Sequence, residues 1–112
     1  MPPRDGTMRI EDILDSIARI QDYVRGMTFD AFHADRKTID AVIRNITVIG
    51  EAANNVPPSI ADSLPEIPWK LMRDFRNVVV HMYFGLDPKV IWDTAQVDVP
   101  PLVEPLRRLL DL

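Results

Sequence analysis

The chain has 112 residues, of which 46% are hydrophobic and 27% charged, and 17 acidic against 13 basic side chains leave a net charge of −4. That length suits one domain with an adequate but not large core, and an acidic chain is not a general coat for nucleic acid, so any contact with RNA must use a local basic site. Without cysteine there are no disulfides and no thiolate metal sites, which fits a cytoplasmic protein, and no apolar run has the length of a signal-peptide core or a membrane span.

Met1 to Thr7 reads as a flexible leader and residues 8–112 as a single helical domain. The first helix is expected from Met8 to Arg25, with Ile10, Ile13, Leu14, Ile17, Ile20 and Val24 at helical spacing and Gly26 as its stop. Met27 to Ala34 is a connector in which one helical turn would carry Phe29 and Phe32 as plugs for the end of the core. Asp35 is placed to cap a second helix that runs to Asn55, buried through Ile39, Val42, Ile43, Ile46, Ile49 and Ala53. Gly50 lies inside that helix at a cost of about 1 kcal/mol relative to Ala. Its usual benefit is close approach of another backbone, so Gly50 to Ala53 marks a tight crossing.

The proline-rich connection from Val56 to Pro68 has room for one turn at Ser59 to Ser63. Pro68 suits the first turn of the next helix. At about 100° per residue, Leu71, Met72, Phe75, Val78, Val79 and Met82 share one face of that helix, as a core stripe would. Arg76 and Tyr83 share one edge of the opposite side, and Asn77 and His81 share the other. Val80 and Phe84 lie between them, so this face reads as covered by another helix, and a second copy of the chain would supply one. Gly85 ends the helix. Asp87-Pro88 caps and starts the next, expected through Val90, Ile91, Trp92, Ala95 and Val97 to Asp98. Pro100 and Pro101 break it. Leu102, Val103, Leu106, Leu109 and Leu110 resume the period, with Pro105 distorting the segment or keeping its first turn short. The fold expected is all-α: an up-and-down bundle of four main helices, the last one broken.

Few residues carry chemistry. There is no phosphate-binding glycine loop and no nucleophile elbow. His33 and His81 lack ligand partners at helical spacing, so neither a metal nor a cofactor is called for. What remains is Arg76, Asn77, His81 and Tyr83 on one helix. A histidine moves protons near neutral pH, and an arginine binds phosphate and offsets charge growing on its oxygens. Together they form a minimum set for cutting RNA without metal: the base takes the ribose 2′-hydroxyl proton, and that oxygen attacks the adjacent phosphorus. DNA lacks the hydroxyl. By itself the spacing is permissive.

The surrounding residues make it specific. RNVVVHMY, Arg76 to Tyr83, resembles the R-x-x-x-x-H-x-Y motif of HepT-like proteins of the HEPN superfamily. AVIRNITVIGEAANNV, PEIPW, YFGLD and IWDTAQVDVPPL are similar to that family's flanking patterns, so the resemblance covers nearly the whole chain from Met8. Pro105 and its neighbours depart from it. The resemblance implies a HEPN-like helical homodimer whose motif helices meet in a composite site. It further implies a ribonuclease toxin of a type VII-like toxin–antitoxin pair, with Arg76 and His81 as the catalytic pair and Asn77 in support. It implies as partner MntA, a small nucleotidyltransferase antitoxin that AMPylates the motif tyrosine, here Tyr83. The added bulk and negative charge would repel RNA.

Each residue also has a plainer reading. His33 is left as a structural or merely solvated side chain. Arg76 would otherwise be a surface partner of Asp74 or Glu51, and Glu51 a buried partner for an arginine. Lys70 and Arg73 are surface charges first and RNA-backbone contacts second. Asn77 either orients His81 or bonds across a dimer, Tyr83 would otherwise be an interface aromatic, and Trp69 and Trp92 fill core or interface. The alternative to an enzyme is a non-catalytic helical dimer that binds the nucleotidyltransferase, RNA or a nucleotide.

Overall fold

A computed structural model describes residues 4–83 and 87–111, with the side chains of residues 4, 5 and 79–83 outside the description. Its elements are α1 (Arg4–Val24), α2 (Phe29–His33), α3 (Arg36–Asn54), α4 (Pro58–Ala61), α5 (Trp69–Tyr83), α6 (Pro88–Asp93), a π-helical turn at Thr94–Asp98, a 3-10 turn at Pro100–Leu102 and α7 (Val103–Leu110). No strand occurs among the described residues. The architecture is the expected all-α, up-and-down bundle: α1 packs on α3, α3 on α5, and α7 on α1, while α6 touches α2, α3 and α5.

The apolar stripes explain the packing. Ile10, Ile13, Ile17 and Ile20 of α1 meet Ile39, Val42, Ile46 and Ile49 of α3 in one buried cluster, which Met72 and Phe75 join from α5 and Leu102, Leu106 and Leu109 from the last segment. Fully burying an aliphatic side chain of this kind contributes about 1.5–3 kcal/mol, so four converging stripes are enough to fix the order of the helices. Two buried polar side chains bond to their own helices: Asn45 Nδ2 donates to the Ala41 carbonyl at 2.9 Å and Thr94 Oγ1 to Val90 at 2.8 Å. Ser16 is fully buried, and its hydroxyl has no hydrogen-bond partner among the described residues.

The punctuation follows the sequence closely. Gly26 takes a φ of +74°, the left-handed conformation in which glycine ends helices without strain. Asp35 caps α3, accepting from the Thr38 backbone N–H at 3.1 Å and from its hydroxyl at 2.8 Å. Asp87 accepts from the Lys89 N–H at 2.9 Å, with Pro88 as the first residue of α6. Phe32 is buried and packs on Trp92 with ring centroids 5.1 Å apart, closing one end of the core. Trp69 anchors the start of α5, buried and donating Nε1–H to the Leu64 carbonyl at 3.2 Å.

Several expectations are corrected. α1 begins at Arg4, four residues before the expected start at Met8, and Gly6 within it packs against Ile60 of α4, where a Cβ would collide with the Ile60 Cδ1. The short turn lies at Pro58–Ala61 rather than Ser59–Ser63, since proline suits a first helical turn. Pro68 stands just before α5, its carbonyl accepting from the Met72 N–H at 3.2 Å. The helix expected to reach Asp98 is α-helical only to Asp93; the Val99 N–H then bonds Thr94 at 3.0 Å in the wider π pattern. Pro100 and Pro101 cannot donate to carbonyls one turn back. Pro105 lies in the first turn of α7, where a missing N–H breaks nothing. The Gly85 stop and Phe84 lie outside the described residues.

Candidate functional site

The candidate residues all lie on α5, which is Trp69–Tyr83 without interruption. The helix forms there because Pro68 fixes the chain entering it, Trp69 is anchored, and Met72 and Phe75 bury one face. Leu71, expected in that face, is instead 38% exposed. It lies about 160° around the helix from the buried Trp69, beyond the arc that the described residues cover. Val78, seven residues on and on the same edge, is half-buried.

Arg76 lies where α5 crosses α3. Gly50 is buried at the crossing: a Cβ there would be 3.2 Å from the Arg76 Cγ, 3.3 Å from the Met72 carbonyl oxygen and 3.5 Å from the Arg76 amide nitrogen. The tight crossing expected from Gly50 is therefore present, and α5 is the helix that makes it. The approach brings the next residue of α3, Glu51, to Arg76, with Glu51 Oε1 3.1 Å from Arg76 Nε. The two side chains are 51% and 56% exposed, so Glu51 is not the buried partner that the sequence suggested. A pair so open to water contributes about 0–1 kcal/mol.

Every other ion pair among the described residues joins positions only three or four apart in sequence. Arg76 with Glu51 is the pair that links two helices. Asp74, the alternative partner for Arg76, is taken by Lys70 at 2.7 Å. Lys70, Arg73 and Asn77 are exposed, as a phosphate-contacting face requires, though Lys70 is already engaged. The backbone of His81 and Tyr83 is in α5; their side chains, with those of Val79, Val80 and Met82, lie outside the described ones. His33 is exposed and stacks on Phe29 with centroids 5.7 Å apart and planes at 5°. Lys89 lies over the same Phe29 ring at 5.3 Å.

Among the described residues no three His, Cys, Asp or Glu side chains gather as metal ligands would, and no helix is long and apolar enough to cross a membrane. The one residue that sequence reasoning undervalued is Glu51. Its signal was its place beside the helix-interior Gly50, which announces a crossing without saying which helix crosses.

Comparison with known proteins gives the chain a family. A model described as "Ribonuclease HepT-like" matches residues 13–109. "Putative RNase MJ0127" of Methanocaldococcus jannaschii is 38% identical over 110 residues, covering 98% of this chain and 91% of that protein. "Probable ribonuclease HepT" of Thermococcus cleftensis is 42% identical over 93 residues, covering 83% and 84%. "Putative RNase TTE0752" of Caldanaerobacter subterraneus is 30% identical over 101 residues, covering 90% of each. No solved structure matches the chain significantly. With a family match over most of its length and relatives spanned almost end to end, the chain belongs to the HepT-like ribonuclease family.

Proposed function

We propose that this protein is an endoribonuclease that cuts RNA without a metal ion, as the toxin of a toxin–antitoxin pair. The observation that carries the reading is the family match across residues 13–109, which contains the Arg76 to Tyr83 motif. The half-exposed Arg76 on a helix with exposed Arg73 and Asn77 supports it, because a phosphate must reach the guanidinium from solvent.

In this mechanism His81 accepts the proton of a ribose 2′-hydroxyl. The freed oxygen attacks the adjacent phosphorus, and the bond to the 5′-oxygen of the next nucleotide breaks. That oxygen leaves as a hydroxyl after taking up a proton, and the other product ends in a 2′,3′-cyclic phosphate. Arg76 offsets the charge that grows on the phosphate oxygens. Asn77 supports the pair, and Arg73 and Lys70 contact the RNA backbone. Two copies of the chain supply a composite site, their α5 helices meeting. The exposed Leu71 and half-buried Val78 are further apolar surface on α5, on the side away from Val80. A MntA-like nucleotidyltransferase silences the enzyme by adding AMP to Tyr83, placing a phosphate where RNA would bind.

The test is RNA cleavage in EDTA with analysis of the product ends, alongside His81→Ala and protein AMPylated at Tyr83. Cyclic-phosphate ends that disappear in both controls are expected. One observation favours the alternative of a non-catalytic dimer: Arg76 already has an anionic partner in Glu51. A stable dimer that binds the nucleotidyltransferase but cuts no RNA in any form would decide for that alternative.

A further inference from the structure

We infer that Glu51 is the positioning residue for Arg76: its carboxylate engages the guanidinium at Nε and leaves the terminal Nη edge aimed at an RNA phosphate. The inference rests on the ribonuclease reading and names a residue outside the motif as part of the same site.

Three observations converge on it. The contact is made at Nε, at 3.1 Å from Glu51 Oε1. A guanidinium has five donors in a fixed fork, so one carboxylate oxygen at Nε leaves the opposite edge free for the bidentate grip that phosphate prefers. Next, among the described residues this ion pair alone ties one helix to another, and it falls on the motif arginine. So exposed a pair adds little to stability, so holding the fold together does not explain it. Finally, the arrangement is built into the backbone. Gly50 lets α5 approach until only 3.2 Å would separate a Cβ from Arg76 Cγ, and that approach delivers Glu51 to the guanidinium. An untethered arginine samples many rotamers, and ordering it at each turnover would raise the barrier; a tether supplies the order beforehand.

Glu51 is also an anion beside the proposed phosphate site, and the opposite role, a competitor that holds Arg76 away from RNA, makes opposite predictions. Glu51→Ala and Glu51→Gln separate them. The Gln side chain keeps the length of Glu and an oxygen within reach of Nε but carries no charge. The experiment measures kcat and KM on total cellular RNA for wild type, Arg76→Ala, Glu51→Ala and Glu51→Gln, with thermal melts as the folding control. Positioning predicts that Glu51→Ala lowers kcat by about tenfold to a hundredfold with little change in KM, and that Glu51→Gln recovers most of the loss. Cleavage by Glu51→Ala at the wild-type rate or faster overturns the inference alone, provided Arg76→Ala is inactive. So does a Glu51→Gln enzyme as slow as Glu51→Ala. A wild-type protein that cuts no RNA overturns both the inference and the reading beneath it.

Discussion

Gly50 and Arg76 meet across the α3–α5 crossing so closely that a single added carbon would press on both the arginine side chain and the Met72 carbonyl, at 3.2 and 3.3 Å. The glycine sets the separation of two helices and thereby where the motif arginine stands. Gly50→Ala gains about 1 kcal/mol of helix propensity but pushes on a backbone carbonyl that cannot swing aside. We expect its melting temperature to stay near wild type while RNA cleavage falls severalfold, because Arg76 is displaced. Gly50→Val, bulkier by two methyl groups, is expected to lose about 1–3 kcal/mol. Thermal melts and cleavage assays on both variants check this.

His81→Ala is expected to fold and self-associate like wild type while cleavage falls by about 10²- to 10⁴-fold, the usual contribution of a general base. Circular dichroism, sedimentation and product analysis measure the three quantities. Full cleavage by this variant would remove His81 from the mechanism.

Leu71 is an exposed leucine beside a half-buried Val78 on the motif helix. If the dimer contact of α5 extends round to this edge, Leu71→Glu replaces buried apolar surface with a charge. The dimer dissociation constant is expected to rise at least about tenfold, as read by analytical ultracentrifugation, with helix content unchanged. Unaltered association would show that this edge is not the contact.

Asp35 accepts hydrogen bonds from the Thr38 hydroxyl and backbone N–H, and these hold its carboxyl below its ordinary value of 3.8. A group with a lowered folded-state pKa adds stability that is fully present above the unfolded value and is lost as pH falls through the folded one. Asp35→Ala should therefore melt below wild type at pH 7. The gap should narrow only in acid, from about pH 4 downward. Parallel melts across that range test the sign.

Ser16 buries a hydroxyl that has no partner among the described residues. Leaving such a group unpaired costs about 1–3 kcal/mol, and alanine is also the better helix former. Ser16→Ala is expected to raise stability by about 1 kcal/mol, measured by urea denaturation. A loss of stability would mean that the hydroxyl is satisfied in solution.

The sequence by itself determined the helices of the core and most of their ends. Isoleucines at helical spacing in α1 and α3, the caps Asp35 and Asp87, and the stop at Gly26 act within a turn or two of chain, so their effect is readable locally. The motif on α5 and its flanks were equally legible, as was the meaning of Gly50 as a close approach. Tertiary structure decided the rest. Periodicity assigned Leu71 to the core, but the neighbouring helices cover an arc centred nearer Met72, which no single-helix pattern contains. Residues 4–7 of the expected leader belong to α1, where Gly6 lies against Ile60, a contact across more than fifty residues of sequence. The π turn at Thr94–Asp98 reflects prolines that follow it. And only the crossing of α3 with α5 chose Glu51 over Asp74 as the partner of Arg76, because a long-range ion pair depends on how closely two backbones pack, which is a property of the assembled bundle.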